Sequence, residues 1–405
     1  MSDHSLRTTG FAFMGGVLSL MMLGGTIPIS LYVLWEQQMG FSKLMITVIF
    51  AVYVVGTLFA LLFLGDLSDH IGRKKVLFAA IILAAISTGV FLVAFNVALL
   101  LVARTLSGVA VGLATGTATA ALAELHPRGD HKAAAVVAAG CNLTGLGLGP
   151  LLAGALAEYV LAPTLTVFWV YLGLLLLAGI ALAAVPETVT GGDSAFNLKP
   201  DIGIPSDMRA VMAGAALGIF AAFSLLGLFS SLVPTFLGEV LGVGNLAVVG
   251  AVSFLIFIAG AISQAIAAKL ANRKSVGSGL ALLLLGLAAL QSALILQTLW
   301  LFVIGTVASG VAIGFIFRGG LAEINRLVIA DRRAEVVSAF FVAAYLGMSV
   351  PVVFIGLGSQ VMSTITANLA VSGLVAAIAA GAILVVLRTF GTPALSEHPS
   401  TPSDS

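Results

Sequence analysis

Charge is scarce in this sequence, and its scarcity excludes most classes of soluble protein. Of 405 residues, only 9% are Asp, Glu, Lys or Arg, whereas 60% are hydrophobic. A soluble globular protein is usually about half apolar and about one quarter charged. The formal net charge is +1, and no segment carries the basic face that nucleic-acid binding requires. We therefore expect a membrane protein with no nucleic-acid partner.

Cysteine and histidine are also rare. Cys141 is the only cysteine, so the chain forms no internal disulfide and no four-cysteine metal site. The five histidines (positions 4, 70, 126, 131 and 398) fall in terminal or loop segments, and no pair has the helical spacing of metal ligands. No nucleophile stands with a base in a recognisable catalytic arrangement. The sequence predicts no enzyme, no metal site and no cofactor.

Long apolar runs make up most of the chain. About 20 apolar residues in a helix span the bilayer core of about 30 Å, and helices satisfy their own backbone groups in lipid. The segment before the first run has no small-residue cleavage site, so we interpret that run as a retained helix and not a signal peptide. Twelve runs are present, at 11–34, 44–64, 76–95, 97–122, 133–157, 163–185, 209–237, 246–268, 276–297, 299–322, 334–361 and 367–388.

Basic residues orient these runs. With both termini placed in the cytoplasm, 15 of the 18 Lys and Arg residues fall on the cytoplasmic side, one (Lys43) falls outside, and Arg104 and Arg318 lie within runs. Cytoplasmic loops of membrane proteins carry such an excess. The sequence thus predicts a multi-pass protein of the inner (plasma) membrane with both termini in the cytoplasm.

The polar stretch after the sixth run divides the chain into two halves. We predict a six-helix bundle over 1–185, a cytoplasmic linker over 186–208, a second six-helix bundle over 209–390 and a disordered cytoplasmic tail over 391–405. Three short matches, about 200 residues apart, indicate that the halves are repeats. They pair Ser107–Gly112 with Ser309–Gly314, Leu122–Glu124 with Leu321–Glu323, and Arg73-Lys74 with Arg273-Lys274.

The loop after the second run concentrates charge between two apolar segments. Its spacing G-x-L-x-D-x-x-G-R-K, with Gly65, Asp69, Gly72 and Arg73, resembles the signature loop of the major facilitator superfamily of secondary transporters. The resemblance implies an all-α membrane fold of twelve transmembrane helices in two six-helix pseudo-repeats. It also implies that Asp69 and Arg73 take part in conformational gating by holding the outward-facing state. The alternative is a solvated loop that only anchors topology.

The loop departs from the family pattern in one place, and its copy in the second half is degraded. His70 stands where the family usually has Arg, and Lys269 stands where Asp69 would align. Only the first half can therefore use the acid.

Two further stretches of the first half resemble family motifs. Arg104, about two turns inside the fourth run, resembles an arginine involved in proton coupling; the alternative is that its side chain reaches the headgroups. Glu36, at the outer end of the first run, is the acid best placed to receive a proton from outside.

The fifth run resembles the antiporter motif of the family. Its matching residues are Gly145, Gly149, Pro150 and Gly154, and we expect the glycines to pack that helix against the other half.

The predicted function is secondary transport of a small, partly apolar compound by alternating access, as proton-coupled efflux. Candidate polar residues of the cavity are Asn142, Gln264 and Arg318. The expected partners are the small-molecule substrate, protons and the lipid bilayer, and we expect a monomer driven by the proton gradient. The alternatives are a proton-coupled importer of a sugar or organic acid and, from a different class, a channel or structural membrane protein.

Overall fold

The structure is a computed structural model that describes residues 3–189, 203–329 and 332–390. Within these ranges the chain is helical and contains no strand. The predicted tail over 391–405 and residues 190–202 of the predicted linker lie outside the described residues. The α-helices are α1 Asp3–Thr26, α2 Tyr32–Met39, α3 Lys43–Phe63, α4 Leu67–Ile71, α5 Arg73–Leu92, α6 Val97–Leu125, α7 His131–Tyr159, α8 Pro163–Ala184, α9 Arg209–Pro234, α10 Leu246–Ala267, α11 Asn272–Leu296, α12 Leu299–Leu327, α13 Arg333–Gly358 and α14 Thr364–Thr389.

Twelve helical segments among the described residues are long and apolar enough to cross a membrane, which confirms the predicted number. Successive segments run in opposite directions, and most of the connections between them are short. The bundle therefore has two ends, which we call the Asp69 end and the Trp35 end after a residue at each.

The first span differs from the prediction of one continuous helix over 11–34. It consists of α1, a 3-10 helix at Ile27–Leu31 and α2, which continues to Met39. Pro28 explains the break, because proline lacks the N–H that would bond to the Gly24 carbonyl and its ring clashes with that turn.

Buried hydrophobic side chains form two clusters. One is built almost entirely from α1 to α8, and the other lies within α9 to α14. The halves meet mainly where α7 packs on α10 and α3 packs on α13. The arrangement is consistent with two bundles, and the domain boundaries stay a prediction.

The same glycine contacts recur in both halves. A β-carbon added at Gly108 of α6 would collide with the Tyr53 carbonyl of α3. In the second half, a β-carbon at Gly310 of α12 would collide with the Ile256 carbonyl of α10. Small residues let helix backbones approach closely in membranes. The repeated Ser-Gly segments thus perform the same packing task in each half.

Candidate functional site

A central cavity of about 200 Å³ lies between the two halves. Its lining comes from helices of both halves, and it reaches from the middle of the bundle towards the Asp69 end. Ala135 and Gln264, both within about one turn of that end, belong to the lining. The cavity lies at the interface of the two halves, near the middle of the bundle, and is therefore our candidate substrate site.

The walls of the central cavity are apolar and aromatic. No Asp, Glu, Lys, Arg or His lines it within the part of the chain that the structure describes. The second half contributes a group of aromatic rings, with Phe223 and Phe317 6.1 Å apart and Phe223 and Tyr345 6.3 Å apart between centroids. Such walls suit an uncharged ligand with an apolar body.

Two of the three polar residues predicted for the cavity line it. Asn142 and Gln264 are part of the wall. Arg318 is not, because α12 turns Phe317 and Leu321 towards the cavity and leaves Arg318 half-buried outside the lining.

A second cavity, of about 240 Å³, lies at the Trp35 end. Glu36 and Lys43 line it, and the Lys43 ammonium lies 3.3 Å from the Thr364 hydroxyl of the other half. Ile29, Phe50 and Ser230 line both cavities and so form the partition between them. We call this second space the outer cavity.

Arg104 is fully buried and faces the interior of the first half. Its Nη1 donates to the Gly25 carbonyl at 2.7 Å, next to the break in the first span. The guanidinium carbon lies 4.2 Å from the centroid of the Tyr53 ring, which lines the central cavity. Nε and Nη2 of Arg104 have no hydrogen-bond partner among the described residues. The side chain thus does not reach the headgroups, and its role in proton coupling stays a prediction.

Pro150 organises the contact between α7 and the first span. Proline donates no hydrogen bond, so the carbonyl four residues earlier, on Leu146, is available inside α7. The Thr26 hydroxyl donates to it at 2.9 Å, and the Ser30 hydroxyl donates to the Pro150 carbonyl at 3.1 Å. The Leu146 carbonyl that the proline leaves without a helical partner is thus paired with Thr26. Ser30, also on the first span, adds a second bond beside the proline.

The glycines of α7 divide between two neighbours, which corrects part of the prediction. Gly154 packs against Leu246 of the other half, as expected. Gly145 and Gly149 instead pack against α1 of the same half. Residues on different faces of one helix meet different partners, and the motif alone did not distinguish the faces.

The signature loop forms a charged network at the Asp69 end. Arg73 pairs with Asp69 and, at 3.0 Å, with Glu124 at the end of α6. The Glu187 carboxylate, just after α8, accepts from the backbone N–H of Arg73 at 2.9 Å and from that of Lys74 at 3.1 Å. A carboxylate here stabilises the start of α5, where backbone N–H groups lack helical partners.

Glu187 is a residue that the sequence interpretation missed. Its only signal was an acid two residues after the sixth apolar run, directly following Pro186. The contact joins residues 114 apart in the chain, and nothing local predicts it.

The second half carries a different network at the same end. Glu323 is buried and accepts from Asn272 Nδ2 at 2.8 Å and from Arg326 at 2.7 Å. Arg273 donates to the Leu387 carbonyl at the end of α14, as Lys74 donates to the Ala183 and Val185 carbonyls around the end of α8.

These contacts change the register of one predicted repeat. The sequence pairs Arg73-Lys74 with Arg273-Lys274. By its contacts, Asn272 takes the place of Arg73 and Arg273 takes that of Lys74, an offset one residue shorter. The guanidinium that bridges the loop in the first half therefore has an amide as its counterpart in the second.

No group of three or more His, Cys, Asp or Glu side chains that could hold a metal ion is found among the described residues.

Comparison with known proteins identifies relatives of this chain. The profile described as Major Facilitator Superfamily matches residues 12–296. The chloramphenicol resistance protein CraA of Acinetobacter baumannii is 24% identical over 243 residues, covering 58% of this chain and 57% of CraA. The uncharacterized MFS-type transporter EfpA of Mycobacterium tuberculosis is 30% identical over 145 residues, covering 36% of this chain and 27% of EfpA. The matches thus span about half of CraA and about a quarter of EfpA.

A solved structure has the same fold. The bacterial homologue of the human lysosomal transporter Spinster, in an inward-facing and unoccupied conformation, superposes with a TM-score of 0.75. The match covers 97% of this chain and all of that one, at 15% sequence identity. At this identity the likeness concerns the fold alone.

Proposed function

Because the chain belongs to the major facilitator superfamily, we propose that it exports a small, uncharged and partly apolar compound by alternating access, in exchange for protons. As a transporter of this family it lies in a lipid bilayer and moves a small molecule. Repeated bundles of this kind hold their substrate at the interface of the halves and rock around it.

The central cavity is the observation that carries this proposal. It lies between the halves, its walls are apolar and aromatic, and no charged side chain of the described residues lines it. An organic acid would need a cationic partner at this depth. The cavity therefore favours an exporter of apolar compounds over the importer of an organic acid.

The orientation of the chain is compatible with export. We place the Asp69 end in the cytoplasm, where 15 of the 18 basic residues then lie. The cavity reaches towards that end, whereas at the Trp35 end Glu158 of the first half accepts a hydrogen bond from the Leu246 N–H of the second, at 2.9 Å. In this orientation the cavity is accessible from the cytoplasm, where an exporter collects its substrate.

Proton coupling is assigned to Glu36 and Arg104. Glu36 lines the outer cavity, next to the partition, so a proton from outside reaches it before the central cavity. Arg104 lies behind Tyr53, whose ring belongs to the central cavity. Both residues belong to the first half, and Tyr32, which lines the outer cavity with Glu36, has its ring centroid 6.0 Å from the Arg104 guanidinium carbon.

Accumulation of radiolabelled chloramphenicol tests the proposal, since CraA is named for resistance to that compound. We expect a bacterial host expressing this protein to accumulate less of it than the same host with an empty vector, and a protonophore to abolish the difference. Equal accumulation in both strains would reject export of this compound. Higher accumulation in the expressing strain would reverse the direction in favour of import.

A further inference from the structure

Gln264 differs from the other polar residues of the central cavity. Its side chain is 1% exposed, and its Oε1 has no hydrogen-bond partner among the described residues. Leaving a buried polar group unpaired is destabilising by about 1–3 kcal/mol. Native proteins keep few such groups, and each requires an explanation.

Three hydroxyls of the cavity wall are already hydrogen-bonded within the protein. Thr115 donates to the Val111 carbonyl at 2.6 Å, and Ser253 donates to the Val249 carbonyl at 2.8 Å. Ser230 likewise donates to the Gly227 carbonyl at 2.6 Å. In contrast, the Gln264 amide lies in the wall of the cavity with its oxygen unused.

The position of Gln264 also suits a ligand that enters from the Asp69 end. It lies three residues from the end of α10, whereas Asn142 lies eleven residues inside α7. At 1.5 Å per residue, the two amides differ in depth by about 12 Å. The rings of Phe317 and Tyr345 belong to the same cavity wall.

We propose that the Gln264 amide is a specificity-determining group that hydrogen-bonds a hydroxyl of an uncharged aromatic substrate. The body of that substrate packs on the rings of Phe317 and Tyr345, and Asn142 faces its deeper end. The assignment rests on the proposed function, because it takes the central cavity as the transport site. It narrows the substrate class from apolar compounds in general to neutral aromatic compounds with a hydrogen-bonding group.

Binding to the purified protein in lipid nanodiscs tests this assignment. The probes are chloramphenicol, an uncharged aromatic amide with two free hydroxyls, and its diacetate, in which both hydroxyls are blocked. We expect Gln264→Leu to raise the Kd for chloramphenicol about tenfold, the effect of one lost hydrogen bond to a neutral group. The Kd for the diacetate should change much less.

Gln291→Leu is the matched control. Gln291 is another glutamine within a spanning helix, and its Oε1, like that of Gln264, is buried without a hydrogen-bond partner among the described residues. Unlike Gln264, it donates through Nε2 to the Ser372 hydroxyl at 2.7 Å and does not line the central cavity. We expect Gln291→Leu to leave the Kd unchanged and to lower the midpoint of thermal unfolding. Gln264→Leu should instead raise that midpoint in the ligand-free protein, since it removes an unpaired buried group.

Three results would overturn the inference. They are an unchanged Kd in Gln264→Leu, an equal loss of affinity for both probes, and a wild-type protein that binds neither. A lower unfolding midpoint in ligand-free Gln264→Leu would likewise assign the residue to structure. If Gln264-dependent binding is found without export from cells, the proposed function fails and this inference stands. If export is found and Gln264→Leu does not change it, the proposed function stands and this inference fails.

Discussion

The two halves share their backbone contacts and differ in their charges. Gly108 and Gly310 allow equivalent close approaches between helices, at positions 202 residues apart. At that same offset Arg104 corresponds to Thr306, which is buried and donates to the Phe302 carbonyl of its own helix at 2.8 Å. Where two backbones touch, only glycine fits, so the residue cannot change. A charged residue can be replaced once the group that it interacts with has been lost. Duplication thus preserved the scaffold and left the charged groups free to specialise.

Alanine at Gly108 and at Gly310 should produce the largest loss of stability, and the loss should be similar in the two halves. Gly108→Ala and Gly310→Ala each push a methyl group into a facing backbone, and overpacking of this kind costs about 1–3 kcal/mol. We expect both variants to unfold at clearly lower temperature in a thermal-shift assay. Gly116→Ala is the control, because nothing lies within 4 Å of its added β-carbon. Damage confined to one half would show that the packing is not shared.

Asp69→Asn should abolish transport without reducing the amount of protein in the membrane. Its carboxylate pairs with Arg73, and the second half has no equivalent acid. The comparison variant is Asn272→Ala, which removes one hydrogen bond to Glu323 while Arg326 still pairs with that acid. We expect it to keep most of the transport rate. Full activity of Asp69→Asn in a transport assay, normalised to protein level, would reduce the loop to a topology anchor.

Arg104→Leu should lower the transport rate about thirtyfold, an intermediate effect. The substitution removes a cation from the Tyr53 ring, and a desolvated contact of this type contributes about 2 kcal/mol. Thr306→Val, the matched change in the second half, removes only a hydroxyl bonded within its own helix. Initial rates in proteoliposomes distinguish the two. Equal losses in both variants would contradict a special role for the arginine.

Glu36→Gln should have the smallest effect on rate and change mainly the dependence of transport on pH. Glu36 lines the outer cavity, next to the partition that separates it from the central cavity. If protons reach the carrier through the Glu36 carboxylate, Glu36→Gln should flatten the pH profile of transport, because the glutamine amide does not take up a proton. The profile is measured with an imposed proton gradient. A variant with the wild-type profile and full rate would require another proton site.

The sequence predicted the parts of this molecule that depend on local composition. Apolar runs indicated the number of spans, and the repeated Ser-Gly segments indicated that the two halves are repeats. The break at Pro28 was also visible in principle, because proline removes a known hydrogen bond. The prediction missed it by treating the first run as one uninterrupted helix.

The remaining features depend on which helix faces meet. Glu187 reaches the start of α5 across more than a hundred residues of chain, and no local pattern encodes that contact. The sequence suggested both Arg318 and Gln264 as cavity residues. Gln264 lies on the face of α10 that lines the cavity, whereas Arg318 lies on a face of α12 that does not. The direction of a side chain follows from the rotation of its helix in the bundle, and sequence spacing sets it only relative to its neighbours.

The hydroxyl of Thr26 has a consequence for the order of assembly. Its partner on α7, the Leu146 carbonyl, lies 120 residues later in the chain. At about 5–20 residues per second, synthesis takes roughly 6–24 s to reach it. During that interval the hydroxyl has a substitute in its own helix, since the Leu23 carbonyl lies 3.2 Å away. The first span can therefore enter the membrane with this group already satisfied and exchange its partner when α7 arrives.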